Sequence, residues 1–424
     1  MTAMREHQGY FSLLTQQGGL LPYFVAVVNM QGRQAVTSMR SGNERVLAAR
    51  LADAKFFFDE DRKTRLEERI EKLKGVVFHQ KLGTLYQKME RMMALAPTLA
   101  ETLGQRDAVE ICRRAAQLCK ADLVTGMVGE FPTIQGVMGR EYARHDGAPK
   151  EVADAIAEHY LPRFAEDAIP PSVAGKLLSL ADRLDTLTAF FAGGLLPSGS
   201  QDPFALRRHA YAVIRILVES GLSLELHAAI HDAVFLLKEQ GIAVDDKAPA
   251  ELQRFLGERL RYYCQEVLTL RDDVVDAVLA RGESVGFDPL DLRARAHALQ
   301  ALAIRPECES LVIACKRVEN ITKGYQDDHV EPALLQEPAE EGLAVSLRAA
   351  EEVVPGLIAQ GKYEEALAAL VSLRAPIDAF FVGVMVMVED EPRRKNRLAL
   401  LVRVRNLFRR YADLSRVHVV VEAR

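Results

Sequence analysis

The stretch RRKNRLALLVRVRNLFRRYADL (residues 393–414) has the clearest structural pattern in this chain. Its apolar residues recur at three- and four-residue intervals, which predicts one amphipathic helix. The predicted apolar face consists of Leu400, Leu401, Val404, Leu407, Phe408, Tyr411 and Leu414. The opposite face carries basic residues, namely Arg394, Lys395, Arg403, Arg409 and Arg410. We therefore expect a packed helix whose outer surface is positively charged.

The charge of this helix stands out against an acidic chain. The whole chain of 424 residues has a formal net charge of −5, which argues against non-specific nucleic-acid binding by the entire surface. Residues 391–424 nevertheless hold ten Lys and Arg against three Asp and Glu, whereas residues 331–367 hold two against eight. This polarisation is typical of an anion-binding surface beside an acidic helical region.

The same helical periodicity extends over most of the chain. It predicts helices over 76–103, 107–128, 149–161, 174–192, 204–219, 223–240, 249–268, 271–280, 290–303, 308–323, 339–359, 362–372 and 376–388. Residues 22–30 (PYFVAVVNM) read as a strand, and after turn signals at 41–43 a helix is expected over 43–74. A lone strand is unstable, so we expect its partners elsewhere, for example before residue 1, as in a shortened chain. The fold class is mainly α, multi-domain, with a small α/β remnant at the amino end.

Composition excludes several classes of function. Five cysteines without a CxxC pair argue against a zinc knuckle and favour reduced cytosolic thiols. We find no secretory leader and no uncharged apolar run of 18 residues, so a cytoplasmic protein without a membrane span is expected. There is no GxxxxGK[ST] or GxGxxG motif and no convincing nucleophile–base pair, so we expect no cofactor on this chain.

Several strings resemble, in family order, the beta subunit of bacterial heterotetrameric glycyl-tRNA synthetase. They span nearly the whole chain, although the family chain is longer at its amino end. The strings are GNERVLAARLADAKFFFDEDRK (42–63), FHQKLGTLYQKMERM (78–92), KADLVTGMVGEFPTIQGVMGREYA (120–143), AIAEHYLPRF (155–164), ADRLDTL (181–187), GSQDPFALRR (199–208), KRVENI (316–321) and MVMVEDEPRRKNRLALL (385–401).

The resemblance implies a division of labour between subunits. The family enzyme has two alpha and two beta chains, and the alpha chain carries the glycine and ATP site, with Mg expected there. The beta chain binds tRNA-Gly through an HD-like helical domain and an anticodon-binding helix bundle. The corresponding boundaries here are 1–74 for the end of an α/β domain, 75–245 for the HD-like domain, 246–291 for a linker and 292–424 for the bundle.

An HD-like domain raises the alternative of a metal-dependent phosphohydrolase, which would need two adjacent ligands, His and Asp. The matching positions are His79, Ala121-Asp122, His159, and Asp182 or Asp185. Because alanine cannot bind a metal, we favour a structural helical domain with no metal and no catalytic residue. A third hypothesis is a helical scaffold that only holds the alpha subunit.

The basic residues near the carboxyl end are the predicted tRNA contacts, since guanidinium groups bind phosphates and stack on unpaired bases. The alternative is an ordinary solvated surface. The string NRLALL (396–401) also resembles a helix motif of anticodon-binding bundles. The family string Phe-Phe-Asp is altered here, where Phe380-Phe381-Val382 lacks the acid. The candidates are Arg393, Arg394, Lys395, Arg397 and Arg403, with Lys316 and Arg317 on a neighbouring helix.

Two further strings have local interpretations. In GSQDPFALRR, Ser200 or Asp202 is expected to cap a helix beginning at Pro203, which leaves Arg207 and Arg208 for salt bridges or for RNA. In EFPTIQGVMGREYA we expect a loop joining two helices. Its apolar residues Phe131, Met138 and Tyr142 are expected in the core, and its glycines Gly136 and Gly139 at a turn or close approach.

Overall fold

A computed structural model describes residues 1–29, 33–199, 201–280 and 286–418. The described chain is mainly helical, as predicted, and its strands form two small two-stranded sheets. It divides into two compact units. Unit 1 comprises Met1–Ile216 and Ile230–Pro249, and unit 2 comprises Leu217–Ala229 and Ala250–Arg424. The finer division into four domains stays a prediction.

The amino end differs from the sequence prediction in its pairing. Helix α1 (Thr2–Gln8) precedes strands β1 (Phe11–Leu14) and β2 (Leu20–Val25), which pair antiparallel. The strand has its partner elsewhere in the chain, as expected, but the suggested place before residue 1 was wrong for this partner, because β1 supplies it in a hairpin. Helix α2 (Arg33–Asp61) runs straight through the supposed turn at 41–43 and ends well before residue 74. A 3₁₀ segment, Leu66–Gly75, follows it.

The rest of unit 1 is a set of packed helices. A short hairpin of β3 (Val77–His79) and β4 (Gly83–Thr84) replaces the predicted start of the first helix. The side chain of Thr84 and that of Gln87 then cap each other's backbone at the start of α3, so the helix begins at residue 85 rather than 76. Its α-helices are α3 (Leu85–Thr102), α4 (Val109–Leu118), α5 (Gly126–Glu130), α6 (Val137–His145), α7 (Lys150–Glu158) and α8 (Val173–Ala192). Helices α9 (Leu206–Ser220) and α10 (Leu226–Glu239) belong partly to unit 1 and partly to unit 2, which includes residues 217–229.

Helix α8 is the centre of unit 1. Residues 174–192 of this helix are buried except Lys176, so it has no solvated face and contacts neighbours on all sides. The Ser172 hydroxyl accepts a hydrogen bond from Gly175 N and fixes the beginning of the helix. A helix buried all round places its polar residues in the interior, where each needs a partner.

The EFPTIQGVMGREYA segment is interior, as predicted. Phe131, Met138 and Tyr142 are all buried. Gly136 has φ +77°, and a Cβ there would lie 2.5 Å from the ring of Tyr160, so both the turn and the close approach require glycine. The predictions of core residues and of a close approach are confirmed, whereas the predicted loop is shorter than expected because residues 137–143 belong to α6.

Unit 2 ends in a helix bundle. Its α-helices after α10 are α11 (Ala248–Tyr262), α12 (Asp272–Leu279), α13 (Pro289–Ala303), α14 (Pro306–Ile321), α15 (Pro338–Ala359), α16 (Tyr363–Val371), α17 (Arg374–Gly383) and α18 (Glu391–Tyr411). The carboxylate of Asp390 accepts a hydrogen bond from Arg393 N and so caps α18. The fully or nearly fully buried residues Leu311, Leu343, Leu370, Phe380, Leu401 and Tyr411 mark the bundle core.

One stretch of the described residues, Tyr363–Gly383, is apolar and long enough to cross a membrane by length and composition alone. The structure divides it into α16 and α17, and neither helix alone reaches the ~20 residues that a span needs. Its residues Leu367, Leu370, Ile377 and Phe380 are buried in the bundle. The stretch therefore behaves as a pair of core helices.

Candidate nucleic-acid interface

The basic residues of α18 separate into buried and exposed groups. Arg397 is 6 % exposed, and its guanidinium donates to Glu340 and to the carbonyl of Met385, the latter at 2.8 Å. Arg405 is 4 % exposed and donates to the carbonyls of Thr322 and Tyr325. These two arginines hold the bundle and its 322–326 loop together, which the sequence could not distinguish from an outer basic face.

The remaining predicted contacts on α18 lie at the surface with local partners. Arg393 pairs with Asp390 at 3.3 Å, and Lys395 pairs with Glu391 at 2.8 Å. Arg394 donates to the carbonyl of Val388. Exposed pairs of this kind contribute little to stability and exchange readily, so the cations remain accessible to phosphates.

On the neighbouring helix α14, Lys316 and Arg317 are both exposed. Lys316 donates to the carbonyl of Val417 at 3.4 Å, and the guanidinium of Arg317 lies 4.1 Å from the ring centre of Phe381. The exposed side chains of Val382, Met385 and Met387 follow Phe381. The segment from Phe381 to Met387 therefore presents apolar side chains, with an arginine stacked beside the ring of Phe381.

A groove of about 450 Å³ lies along α18. One of the predicted tRNA contacts, Arg403, lines it, and its Nε lies 3.1 Å from Oε1 of Glu351, another lining residue. We call it the α18 groove. Its polar lining mixes donors and acceptors, which is the composition needed to bind the edge of an unpaired base. Most of this set was not among the residues predicted from the sequence. The lining residues are Asp328, His329, Val330, Glu351, Arg403, Asn406, Leu407 and Arg410.

Position on the helix could have identified two of the missed residues. Asn406 is three residues after Arg403, and Arg410 is four residues after Asn406, so all three lie on the same side of α18. Both are exposed. His329 and Asp328 belong to a loop, and no periodic pattern in the sequence relates that loop to α18.

The start of α9 holds the other predicted arginines. Asp202 accepts hydrogen bonds from Leu206 N and Arg207 N, so Asp202 is the cap and the helix begins at Leu206 rather than at Pro203. The alternative cap, Ser200, lies outside the described residues. The side chains of Arg207 and Arg208 donate to the carbonyls of Gly199 and Arg163. These arginines organise loops, and any RNA contact by them stays a prediction.

Two of the positions proposed for an HD-type metal site lie together, with a lysine between them. The Nζ of Lys120 is 2.8 Å from His159 Nε2 and 3.0 Å from Asp182 Oδ2. The Nδ1 of His159 donates to the carbonyl of Ile156, so Nε2 is the unprotonated nitrogen and accepts from Lys120. Burial and the positive charge of Lys120 hold the pKa of His159 well below its usual value. The ammonium group thus occupies the position where a cation would bind.

The other HD positions have different partners. Asp122 Oδ2 accepts from Gly136 N and Gly139 N, and burial raises its pKa to about 6. Asp185 accepts from Lys88 and Arg91. His79 packs against Phe190, with ring centres 5.6 Å apart. Within the described residues no cluster of His, Cys, Asp and Glu is suited to a metal ion.

This geometry does not suit a divalent cation between His159 and Asp182, because Lys120 would repel it and already satisfies both ligands. We derive no metal-dependent chemistry from the cluster. Nothing in the arrangement favours the phosphohydrolase hypothesis.

Comparison with known sequences identifies the family. The family model described as "Glycyl-tRNA synthetase beta subunit" matches residues 1–280, about two thirds of the chain. The chain belongs to the glycyl-tRNA synthetase beta subunit family. A second model, "DALR anticodon binding domain", matches residues 311–420, which contain α15 to α18, most of α14 and the α18 groove.

Curated family members agree with this assignment. The chain is similar to the glycine–tRNA ligase beta subunit of Trichlorobacter lovleyi, at 47 % identity over 418 residues, and to that of Geobacter metallireducens, at 45 % over 426 residues. The beta subunit of Paracidovorax citrulli is 45 % identical over 419 residues. These alignments cover 98 % of this chain but only 58–60 % of each relative, so the chain spans about three fifths of their length.

Proposed function

We propose that this chain provides the anticodon-side tRNA-binding part of a glycyl-tRNA synthetase beta subunit and performs no aminoacylation chemistry itself. The observation that carries the proposal is the match of an anticodon-binding domain to the residues that form the α18 groove. In this proposal the partners are tRNA-Gly and an alpha subunit, assembled as two alpha and two beta chains in the cytoplasm. The alpha subunit binds ATP and Mg and attaches glycine.

The groove provides a physical basis for base recognition. Asp328 and Glu351 offer carboxylate acceptors, Arg403 and Arg410 offer donors, and Asn406 offers both. Single-stranded bases of an anticodon loop expose their hydrogen-bonding edges, which such a mixed lining can discriminate. Exposed Lys395 and Lys316 and half-buried Arg394 on the same unit supply charge for the phosphates, whereas Arg397 contributes through the fold.

A filter-binding titration with tRNA-Gly tests the proposal. The charge reversals Arg410→Glu and Lys316→Glu should weaken binding and reduce its salt dependence by about one unit of log–log slope for each phosphate that the variant no longer neutralises. The matched control is Arg374→Glu on α17, because Arg374 is neither a predicted tRNA contact nor a residue that lines the α18 groove. It should bind as the unmodified chain does.

A second titration tests base reading. Asn406→Ala should reduce the preference for tRNA-Gly over a tRNA-Gly whose anticodon is changed, while the phosphate-dependent binding persists. Equal affinity of the unmodified chain for both RNAs would refute anticodon reading. Unchanged affinity in the Arg410 and Lys316 variants would refute the assigned surface, and no measurable tRNA affinity would favour the scaffold hypothesis.

A further inference from the structure

Unit 1 contains a cavity of about 230 Å³ whose lining is unusually cationic. Lys88 projects into it from α3, Arg183 from α8, and Lys120 from the turn after α4. All three side chains are buried. We call this space the lysine–arginine cavity.

The buried carboxylates around the cavity do not balance these cations. Asp182 is shared between Lys88 (2.8 Å) and Lys120 (3.0 Å), and Asp185 is shared between Lys88 and Arg91. Among the described residues, the guanidinium of Arg183 bonds only neutral groups, namely Ser179 Oγ, the carbonyls of Tyr160 and Pro162, and His209 Nδ1. Four buried cations therefore share two carboxylates. Counting ionised Asp122, which bonds only backbone N–H groups, still leaves one positive charge in excess.

The cavity's two histidines do not change this balance. Burial lowers the pKa of His209 to about 3, with a further contribution from nearby Arg183, so His209 is neutral at physiological pH. His159 is neutral for the same kind of reason, with Lys120 as the neighbouring charge. Burial lowers the pKa of Arg183 to about 10, which leaves the guanidinium charged. A buried charge without a counter-charge is costly, so the cavity favours an anion.

A second observation points to a ligand. Tyr160 also lines the cavity, and within the described part of the chain its Oη is buried with no hydrogen-bond partner. Buried hydroxyl groups are nearly always hydrogen-bonded, so an unused O–H donor in a cationic cavity indicates a missing acceptor. The unused donor and the positive charges thus belong to residues that line the same cavity.

We propose that the lysine–arginine cavity binds a phosphate anion, either inorganic phosphate or the phosphoryl group of a small monoester. Lys120 and Arg183 supply the counter-charge, and Tyr160 donates a hydrogen bond. A tetrahedral dianion presents several acceptor oxygens and so matches donors that converge from different elements. The cavity is smaller than the ~300–1,000 Å³ of pockets that take drug-sized ligands, which limits the ligand to a small one. This site is independent of the α18 groove.

Isothermal titration calorimetry on the full chain, at constant ionic strength, tests the proposal with inorganic phosphate, glycerol phosphate and acetate. We expect saturable binding of phosphate and none of acetate. Tyr160→Phe removes only the unpartnered hydroxyl group, so the fold should persist while phosphate affinity falls by about tenfold, as for one hydrogen bond to a charged group. Lys120→Gln should reduce affinity further. The matched control, Tyr86→Phe, makes the same change in unit 1 outside the cavity lining and should leave affinity unchanged.

The outcomes separate the possible ligands and can overturn the site. Tighter binding of glycerol phosphate than of inorganic phosphate would identify a monoester as the ligand, and the reverse would identify the free anion. Wild-type affinity in folded Tyr160→Phe would overturn the proposal, because phosphate would then be binding elsewhere. Equal binding of acetate, or no binding of either phosphate compound, would overturn it as well. Since tRNA binding is measured separately in unit 2 variants, failure here leaves the proposed function standing.

Discussion

Replacement of Arg397 by leucine tests whether this arginine is structural. Glu340 is completely buried, and Arg397 is the cation bonded to its Oε1. The other carboxylate oxygen of Glu340 accepts from Gln336 N at 2.7 Å and from Glu337 N at 2.9 Å. Arg397→Leu would therefore leave a carboxylate in the bundle interior with backbone donors but no counter-charge.

The expected cost follows from that geometry. Removing one partner of a buried ion pair destabilises a protein by about 3–5 kcal/mol, because the other charge stays buried. Removal of the hydrogen bond from Arg397 to the carbonyl of Met385 adds to the cost. The additional change Glu340→Gln should recover on the order of 1–2 kcal/mol, since it removes the orphan charge and keeps an oxygen acceptor.

Hydrogen exchange measured by mass spectrometry on peptides from α15 and α18 reports the opening free energy of the bundle itself. The matched control is Arg393→Leu on the same helix, where the side chain is 40 % exposed and pairs with Asp390. Its effect should stay below about 1 kcal/mol. These peptides could instead be as well protected in Arg397→Leu as in the unmodified chain while tRNA affinity is lost. In that case Arg397 would be an RNA contact and our structural interpretation would be wrong.

Three further predictions concern unit 1. Burial raises the pKa of Asp122 to about 6, so the free energy of unfolding falls as pH rises from about 4 to 6, because the unfolded chain ionises first. The variant Asp122→Asn lacks this loss, so its stability relative to the unmodified chain should rise by up to about 3 kcal/mol over that interval. Denaturation at a series of pH values measures the difference. Gly136→Ala should destabilise the chain by roughly 1–3 kcal/mol, because the backbone there has a positive φ and the new Cβ would contact a tyrosine ring. In thermal unfolding this loss should be larger than that of Gly147→Ala, where φ is also positive but no atom lies within 4 Å. Burial raises the pKa values of Cys112 and Cys119 to about 12, so iodoacetamide should label them at pH 8 only after denaturation, and rapid labelling of the folded chain would contradict this.

Periodicity predicted most of the helices, and the strongest patterns gave the best boundaries. The predicted helix 174–192 is observed as Val173–Ala192, and 339–359 as Pro338–Ala359. Periodicity failed where local signals conflict. Ser41-Gly42-Asn43 lies inside α2, because a turn-prone triplet does not prevent a helix from continuing.

The hairpin of β1 and β2 was missed for a different reason. The segment FSLL (11–14) is too short to show alternation, so the sequence offered no partner for the strand that follows it. Short strands depend on their pairing, which is a property of the folded chain rather than of the segment.

The candidate RNA surface shows the same limit. The sequence located the basic helix and the family resemblance. Which of its basic side chains are buried and which are exposed depends on the helices that pack against it. Arg397 and Arg403 are close in sequence, yet one is buried against Glu340 and the other lies beside the α18 groove. Each arginine bonds a different glutamate of α15, Glu340 for Arg397 and Glu351 for Arg403, and both glutamates are more than 50 residues away in sequence.

The sequence alone was therefore enough to predict the helical class, the position of most helices and the family resemblance, and it places at position 121 an alanine, which cannot bind a metal. Those features depend on local periodicity or on residue identity, which can be read along the chain. The folded structure was needed to show that Lys120 lies between His159 and Asp182, that Arg183 bonds no carboxylate among the described residues, and that Asn406 and Arg410 share a groove with the 328–330 loop. These relations join residues distant in sequence, so they exist only when packing has brought the elements together.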